Sequence, residues 1–312
     1  MYKGKTISIS VPAYNVESLI GPTIETIPNY IDYIIVTNDA SKDSTQTVVQ
    51  KYIQKDTRVT LINSEINEGV GASIIKGHQC GVEKGADIMV VMAGDNQMNP
   101  KYLPLLLDTV IIDKADYAKG NRFINVKELK QMPKKRIIGN IGATLLVKFA
   151  SGYWSVADPL NGYTAITTET YRKVPLQKIG KRYTFETSML IQLGILRKKV
   201  RDINIPAYYG KEVSHIKIVR DSIETIHTTL KGAWERLFIN YGLLAFHPVC
   251  VYLSTGLLLL FLSGITGLWL LIQSLGKPSA TAATALVPTI LLVIGIQFIN
   301  QAIIIDIQNE PK

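Results

Sequence analysis

The sequence predicts an α/β protein. A mostly parallel sheet with helices on both faces is followed by interfacial helices and a C-terminal two-helix transmembrane hairpin. Two observations predict this. Short β-branched runs alternate with segments of helical spacing through the first 120 residues, as in a parallel sheet covered on both sides. From Leu237 to Gly276 there is no Asp, Glu, Lys or Arg, and Lys277 is the only one before Asp306. That stretch is long enough for two bilayer crossings.

Thr6–Val11, closed by Pro12, is the first expected strand, and Tyr33–Thr37, Val59–Ile62 and Ile88–Val91 repeat its character. Helices are expected at Ser18–Ile27, Asp43–Gln54, Val70–Glu83 and Tyr102–Ile112, with Ser41 capping the second. Residues 121–182 lose this regularity and turn basic at Lys127, Lys130, Lys134, Lys135 and Arg136. The apolar segment Ile137–Trp154 then reads either as a helix at a membrane surface or as an ordinary core helix. Asp221–Tyr241 sets Ile223, Ile226, Leu230, Trp234, Leu237 and Phe238 at helical spacing, the pattern of an amphipathic helix on an interface. Val249–Ile272 and Ala282–Ile305 are the expected spans, joined by a polar turn holding Gly276 and Pro278. The expected domains are 1–219, a globular unit; 220–243, a juxtamembrane helix; and 244–312, the anchor.

The 312 residues carry a net charge of +9. The charges beyond Arg236 (Lys277, Asp306, Glu310 and Lys312) cancel, so the whole excess lies in residues 1–236. A two-span hairpin returns both ends to one side. Arg220, Lys231 and Arg236, just before the first span, place that side in the cytoplasm. No secretory leader is expected, because Thr6–Val11 is too short for its apolar region. Cys80 and Cys250 are expected as free thiols. Membrane lipid is an expected partner, and nucleic acid is not.

Ligands of such sheets bind beyond the carboxyl ends of the strands. Three polar clusters fall there: Pro12-Ala13-Tyr14-Asn15, Asn38-Asp39 and Gly94-Asp95-Asn96-Gln97. In an extended segment Asp95 and Gln97 share one face. Such an oxygen-donor pair suits a hard divalent cation if a phosphate adds ligands. Asn67-Glu-Gly-Val-Gly opens the third helix, either as an anion site or as loop packing.

These clusters, as Val11-Pro-Ala-Tyr-Asn, Asn38-Asp-Ala-Ser-Lys-Asp-Ser-Thr and Gly94-Asp-Asn-Gln in that order, resemble the family 2 glycosyltransferases of the GT-A fold. Gly120-Asn-Arg-Phe, Asp158-Pro-Leu-Asn-Gly-Tyr and Phe185-Glu, followed by two spans, resemble one branch of it. That branch contains dolichol-phosphate mannose synthase and the bacterial polyprenyl-phosphate glycosyltransferases. The resemblance implies inverting transfer of a sugar from a UDP- or GDP-sugar to a polyprenyl phosphate, with Mg2+ or Mn2+. It implies the cytoplasmic face of a prokaryotic plasma membrane.

By the same resemblance Asp95, with Gln97 second, holds the metal. Pro12, Ala13, Tyr14, Glu17, Asn38, Asp39, Gly94 and Asp95 bind the donor. Among them Asp39 accepts from a ring N–H of the base, Tyr14 walls it and Glu17 holds a ribose hydroxyl. Ala93 stands where the family usually has the first aspartate of Asp-x-Asp, and Asn38 replaces a frequent Asp. Arg122 and Arg136 would hold the acceptor phosphate; Lys211, with Ser214 and Lys217, would reach the diphosphate or the acceptor. Asp158, grouped with Arg122 as catalytic, is either a base for a hydroxyl acceptor or an orienting group for a phosphate acceptor. Glu186 is read the same way, or as a structural partner of an arginine. A phosphate acceptor needs no base, because its second pKa lies near 6. Two other readings stay open: transfer to a hydroxyl of a lipid-linked or cell-surface saccharide, and a catalytically silent relative. By resemblance alone the hairpins pack with neighbours, making a homo-oligomer an expected partner.

Overall fold

Alternation along the first strand decides how the sheet is covered. In β1 (Ile7–Ala13), Ile7, Ile9 and Val11 join one apolar core, while Ser8 and Ser10 face the other side. β2 (Tyr33–Asn38), β3 (Val59–Asn63) and β4 (Ile88–Val91) make only parallel pairings among themselves and with β1. β5 (Tyr117–Asn121), β6 (Thr164–Thr167) and β7 (Val200–Asn204) extend the sheet to seven strands in the order β3-β2-β1-β4-β6-β5-β7. Only β6 is reversed: it is antiparallel to both β4 and β5. The computed structural model describes residues 1–122, 134–206, 218–242, 246–275 and 282–312, with the side chains of 134–141, 218–222 and 282–283 set aside. Two compact units divide them: residues 1–234 with 311–312, and residues 235–310.

In the first unit α1 (Ile20–Thr26), α2 (Thr45–Ile53), α3 (Val70–Glu83) and α4 (Leu103–Ile111) alternate with the strands, as the spacing predicts. The cap of α2 differs from expectation. The Ser41 hydroxyl accepts from the Asn15 amide at 3.0 Å instead. Asp43 accepts from the Thr45 amide at 3.0 Å and Glu17 from the Ser44 amide at 2.8 Å, so two carboxylates satisfy the start of α2. α5 (Lys134–Ser151) is the helix expected over Ile137–Trp154, and regular structure returns where it was not expected as β6, α6 (Thr168–Lys173) and, further on, α7 (Phe185–Ile195).

One sheet face packs Ile9, Ile34, Val90 and Ala118 against Ile20 and Ile24 of α1 and Leu103 and Leu106 of α4. The other packs Met89, Tyr117 and Val200 against Ile74 of α3, Val147 of α5 and Met189 of α7. Here α3 comes unusually near β1. A Cβ on Gly77 would lie 2.7 Å from the Ser10 Cβ, and one on Gly81 would lie 2.3 Å from the Ser8 Oγ. Between these glycines His78 is buried, sharing a 2.7 Å hydrogen bond with Ser10 through Nδ1. Its pKa is pushed down to about 3 by burial.

α8 (Ile218–Tyr241) follows, with Gly232 tight against Ile191 while Ile223 (64%) and Trp234 (74%) stay exposed. In the second unit α9 (Pro248–Ser274) and α10 (Ala282–Gln308) are long and apolar enough to cross a membrane. Their mutual face is cut small: a Cβ on Gly256 would sit 3.0 Å from the Gly295 carbonyl oxygen. Ser263 Oγ donates to the Pro288 carbonyl at 2.8 Å. The polar turn around Gly276 and Pro278 lies outside the described residues. Cys80 and Cys250 are free thiols.

At one end of this unit Arg236 donates to both carboxylate oxygens of Asp306, at 2.8 and 3.0 Å, and Tyr241 Oη donates to Oδ1 at 2.6 Å. All three side chains are buried. Arg236→Met should therefore cost about 3–5 kcal/mol, since it strands a buried carboxylate, while adding Asp306→Leu should recover most of the loss. Unfolding in detergent measures both. A second expectation concerns acid. The unfolded chain protonates His78 near pH 6.5 and the folded chain only near 3, so stability is lost as pH falls through that window. The slope of unfolding free energy against pH between 6 and 4.5 should be shallower in His78→Gln by about 1.4 kcal/mol per pH unit.

Candidate active site

The carboxyl ends of β1 and β2 are stitched together. The Asp39 amide donates to the Ala13 carbonyl at 2.9 Å, and Asn15 Oδ1 accepts from the Lys42 amide at 2.8 Å. Asn15 and Ala40 both take left-handed φ, 53° and 56°, which brings the two loops face to face. Pro12 and Ala13 form the floor at the strand end, and Tyr14 stands exposed above it. Glu17 is exposed but already caps α2. Asn38 is buried, donating to Asn63 Oδ1 at 3.0 Å and accepting from the Ser41 amide at 3.2 Å. That is an Asx turn linking β2 to β3 and to the loop.

Asp39 has a role that sequence reading missed. Its buried carboxylate accepts from the Glu68 amide at 2.9 Å and the Gly69 amide at 2.8 Å, at the entrance to α3. The Ala72 amide, in the first turn of α3, donates to the Lys181 carbonyl at 2.9 Å. The chain thus supplies its own anion to this helix start. Gly69 (φ 107°) and Gly71 allow the close approach: a Cβ on Gly71 would lie 2.3 Å from the Gly180 carbonyl oxygen. In Asn67-Glu-Gly-Val-Gly the two glycines serve this close packing.

β4 stops at Val91, so Asp95 and Gln97 do not share an extended face. Asn96 is left-handed at φ 59°, and Asp95 Oδ1 accepts from the Gln97 amide at 3.0 Å. This Asx turn, which a hydrogen-bonding aspartate favours over extension, replaces the expected period-2 pair. Gly94 anchors the turn by donating to the Pro12 carbonyl at 3.1 Å, setting Asp95 beside the end of β1. Burial raises the Asp95 pKa. Among the described residues no group of three His, Cys, Asp or Glu could hold a metal ion. Asp95 alone fits a divalent ion that takes its other ligands from phosphates and water.

The other half of the site forms where β5 and β6 meet. Because β6 is reversed, the residues before it, 158–163, come to the same sheet edge as the residues after β5. Asp158 is fully buried, and Arg122 grips it with Nε to Oδ2 at 2.7 Å and Nη2 to Oδ1 at 3.1 Å. The Arg122 amide adds a bond to Oδ2 at 3.2 Å. Arg122 itself remains 38% exposed. The pair presents a cation and hides its carboxylate.

Beneath it lies Lys119, fully buried, donating to the Asn161 carbonyl. Gly120 lets the turn press down: a Cβ there would meet the Asn161 side chain at 2.8 Å. Glu186 Oε1 lies 3.2 Å from where a Gly162 Cβ would be, and burial raises its pKa. Sequence reading missed Lys119, which lies in Tyr-Ala-Lys-Gly-Asn, a segment with no strand signature. Arg136 lies on α5 with its side chain outside the described residues, as do Lys211, Ser214 and Lys217 altogether.

The carboxyl edge of a mostly parallel sheet with one strand reversed, carrying Asp39, Asp95 and the Arg122–Asp158 pair, is where ligands of α/β enzymes bind. The chain belongs to glycosyl transferase family 2, whose model matches residues 8–180, and it is a glycosyltransferase. It is 29% identical over 218 residues to the UDP-N-acetylglucosamine–dolichyl-phosphate N-acetylglucosaminyltransferase of Methanococcus voltae, covering 66% of this chain and 86% of that one. It is 27% identical over 243 residues to the undecaprenyl-phosphate mannosyltransferase of Micrococcus luteus, covering 75% and 98%. Among solved structures, glucosyl-3-phosphoglycerate synthase of Mycobacterium tuberculosis, in complex with Mn2+, UDP and glucosyl-3-phosphoglycerate, shares the fold. The TM-score is 0.58 at 19% identity, over 74% of this chain and 80% of that one.

Asp39→Ala should destabilise the first unit by about 1–3 kcal/mol for each amide left orphaned. Hydrogen exchange at Glu68 and Gly69 should accelerate with it. Asp39→Asn, which keeps one acceptor oxygen, should protect one of the two amides.

Proposed function

We propose that this glycosyltransferase passes a sugar from a UDP- or GDP-sugar to a polyprenyl phosphate at the cytoplasmic face of a membrane, inverting the anomeric carbon. One observation carries the reading: Asp158, the carboxylate best placed to serve as a base, is buried under the Arg122 fork. Both its oxygens are engaged by Arg122 and its side chain has no exposure, so it does not face an acceptor hydroxyl. A hydroxyl acceptor needs that proton removed, whereas a phosphate monoester arrives largely dianionic at pH 7. The relatives from Methanococcus voltae and Micrococcus luteus, named for dolichyl-phosphate and undecaprenyl-phosphate transfer, support the same acceptor class.

In this reading the acceptor dianion docks against Arg122, with Arg136, Lys211, Ser214 and Lys217 as further contacts. The donor base rests by Tyr14 and Asp39, and its diphosphate lies over Gly94 and Asp95. Asp95, with Gln97 behind it, would hold Mg2+ or Mn2+. Bound there, the ion would act as a Lewis acid on the departing diphosphate. Asp158 acts through Arg122 by fixing the plane of its guanidinium, so that attack comes from the side opposite the leaving group. The exposed Ile223, Leu230 and Trp234 of α8 suit burial in a lipid headgroup layer, close to where a polyprenyl chain enters.

A second reading has one observation in its favour. Glu186 combines a raised pKa with a place beside the same turn, and it would be the base for a hydroxyl acceptor. A panel of UDP- and GDP-sugars offered with undecaprenyl and dolichyl phosphate in detergent separates the two. Lipid-linked sugar is expected, with Asp95→Ala lowering the rate at least about 100-fold. Incorporation only into saccharide hydroxyls, lost in Glu186→Gln, would overturn the first reading.

A further inference from the structure

Lys119 has no part in the chemistry above, yet it sits at the centre of the charge cluster that holds Arg122. It lies mid-strand in β5, in register with Thr164 of β6 and Asp202 of β7. Cross-strand partners share a face, so its stem runs between them under the 158–162 turn. The charged groups around it come from every neighbouring element: Glu186 from α7, Asp158 from the turn, Asp202 from β7 and Arg122 from its own strand end. Tyr117, two residues back on the same face, is buried and supplies no charge.

Three carboxylates thus face two cations. Asp202 is the most dependent of them. Its Oδ2 accepts from the Ala157 amide at 2.6 Å, but its buried Oδ1 has no hydrogen-bond partner among the described residues. An orphaned carboxylate oxygen in such a place requires a nearby positive charge. Arg122 is forked onto Asp158, and Lys119 is the cation that acts on both Asp202 and Glu186, with Arg122 adding to it at Glu186. The same ammonium donates to the Asn161 carbonyl, so charge balance and the shape of the turn depend on one group.

We propose that Lys119 is a positioning residue, pinning the 158–162 turn through Asn161 and so holding the Arg122–Asp158 pair in register for transfer. Desolvation outweighs the surrounding carboxylates and brings its pKa down to about 8. Below that value the ammonium holds the turn. Above it the neutral amine still donates to Asn161 but no longer offsets Asp202 and Glu186, whose field then acts on Arg122. The transfer half of the test rests on the polyprenyl-phosphate reading; the structural half does not.

The test uses the full chain in detergent. The Arg122 Nε–H resonance, which reports its bond to Asp158, is followed from pH 7 to 9 in arginine-labelled protein and in Lys119→Met and Lys119→Gln. Transfer to undecaprenyl phosphate is measured over the same range. In the unaltered enzyme the resonance should move with a midpoint near pH 8, and kcat should fall with the same midpoint. Both variants should lose the titration, with kcat lowered up to about 100-fold and uniformly low across the range. Their donor KM should change less than about threefold, because Lys119 lies on the acceptor side. Lys119→Gln, which keeps a donor to Asn161, guards against a variant that merely fails to fold. An Arg122 resonance that does not titrate, or the same alkaline limb in Lys119→Gln, would overturn the proposal. A titrating resonance with no transfer to any prenyl phosphate would instead overturn the acceptor reading and support the positioning role.

Discussion

The burial of one carboxylate organises the sheet edge where β5 and β6 meet. Asp158 has no access to water, so its charge must be met inside the protein, and a bidentate arginine is the partner that satisfies both oxygens in one plane. That requirement explains the reversed strand. In an all-parallel sheet only residues that follow strands reach the carboxyl edge. Reversing β6 brings the residues before it to that edge, which is how Asp158 meets Arg122 across 36 positions of sequence. It also explains Gly120, since the turn must lie flat on β5 for the fork to close.

The edge where β1 and β2 end is governed by a different shortage, that of partners for backbone amides at the entrance to α3. Asp39 accepts from two of them from the end of β2, and the 180–182 segment accepts from a third. Because both oxygens of Asp39 are engaged by amides, the orientation of the carboxylate is set by folding.

Much of this was legible in the sequence because the first 112 residues obey simple periods. Their strands are β-branched runs and their helices carry regular apolar spacing, so strand ends, and the polar clusters on them, were placed correctly. The two long apolar helices were legible from charge alone. Legibility failed where burial is polar. β5 is Tyr-Ala-Lys-Gly-Asn and β7 contains Arg201 and Asp202, neither of which reads as a strand by hydrophobicity. The pairing of Lys119 with Asn161 depends on strand order, which no local pattern encodes. Asp95 and Gln97 failed for the opposite reason: a local hydrogen bond overrode the strand period just past the last strand residue.

The same rule of paired buried charge operates independently in the second unit. By hydropathy Asp306 looks like an intruder near the end of an apolar helix, and Arg236 like one of several cations before the spans. Joined by two hydrogen bonds and braced by Tyr241, they become a single neutral object in an apolar setting. Their meeting requires the chain just ahead of α9 and the final turn of α10 to lie at one end of the helix pair. The interposed helices therefore make an even number of passes, whatever surrounds them. This charge pair thus fixes the hairpin topology, and hydropathy alone only permits it.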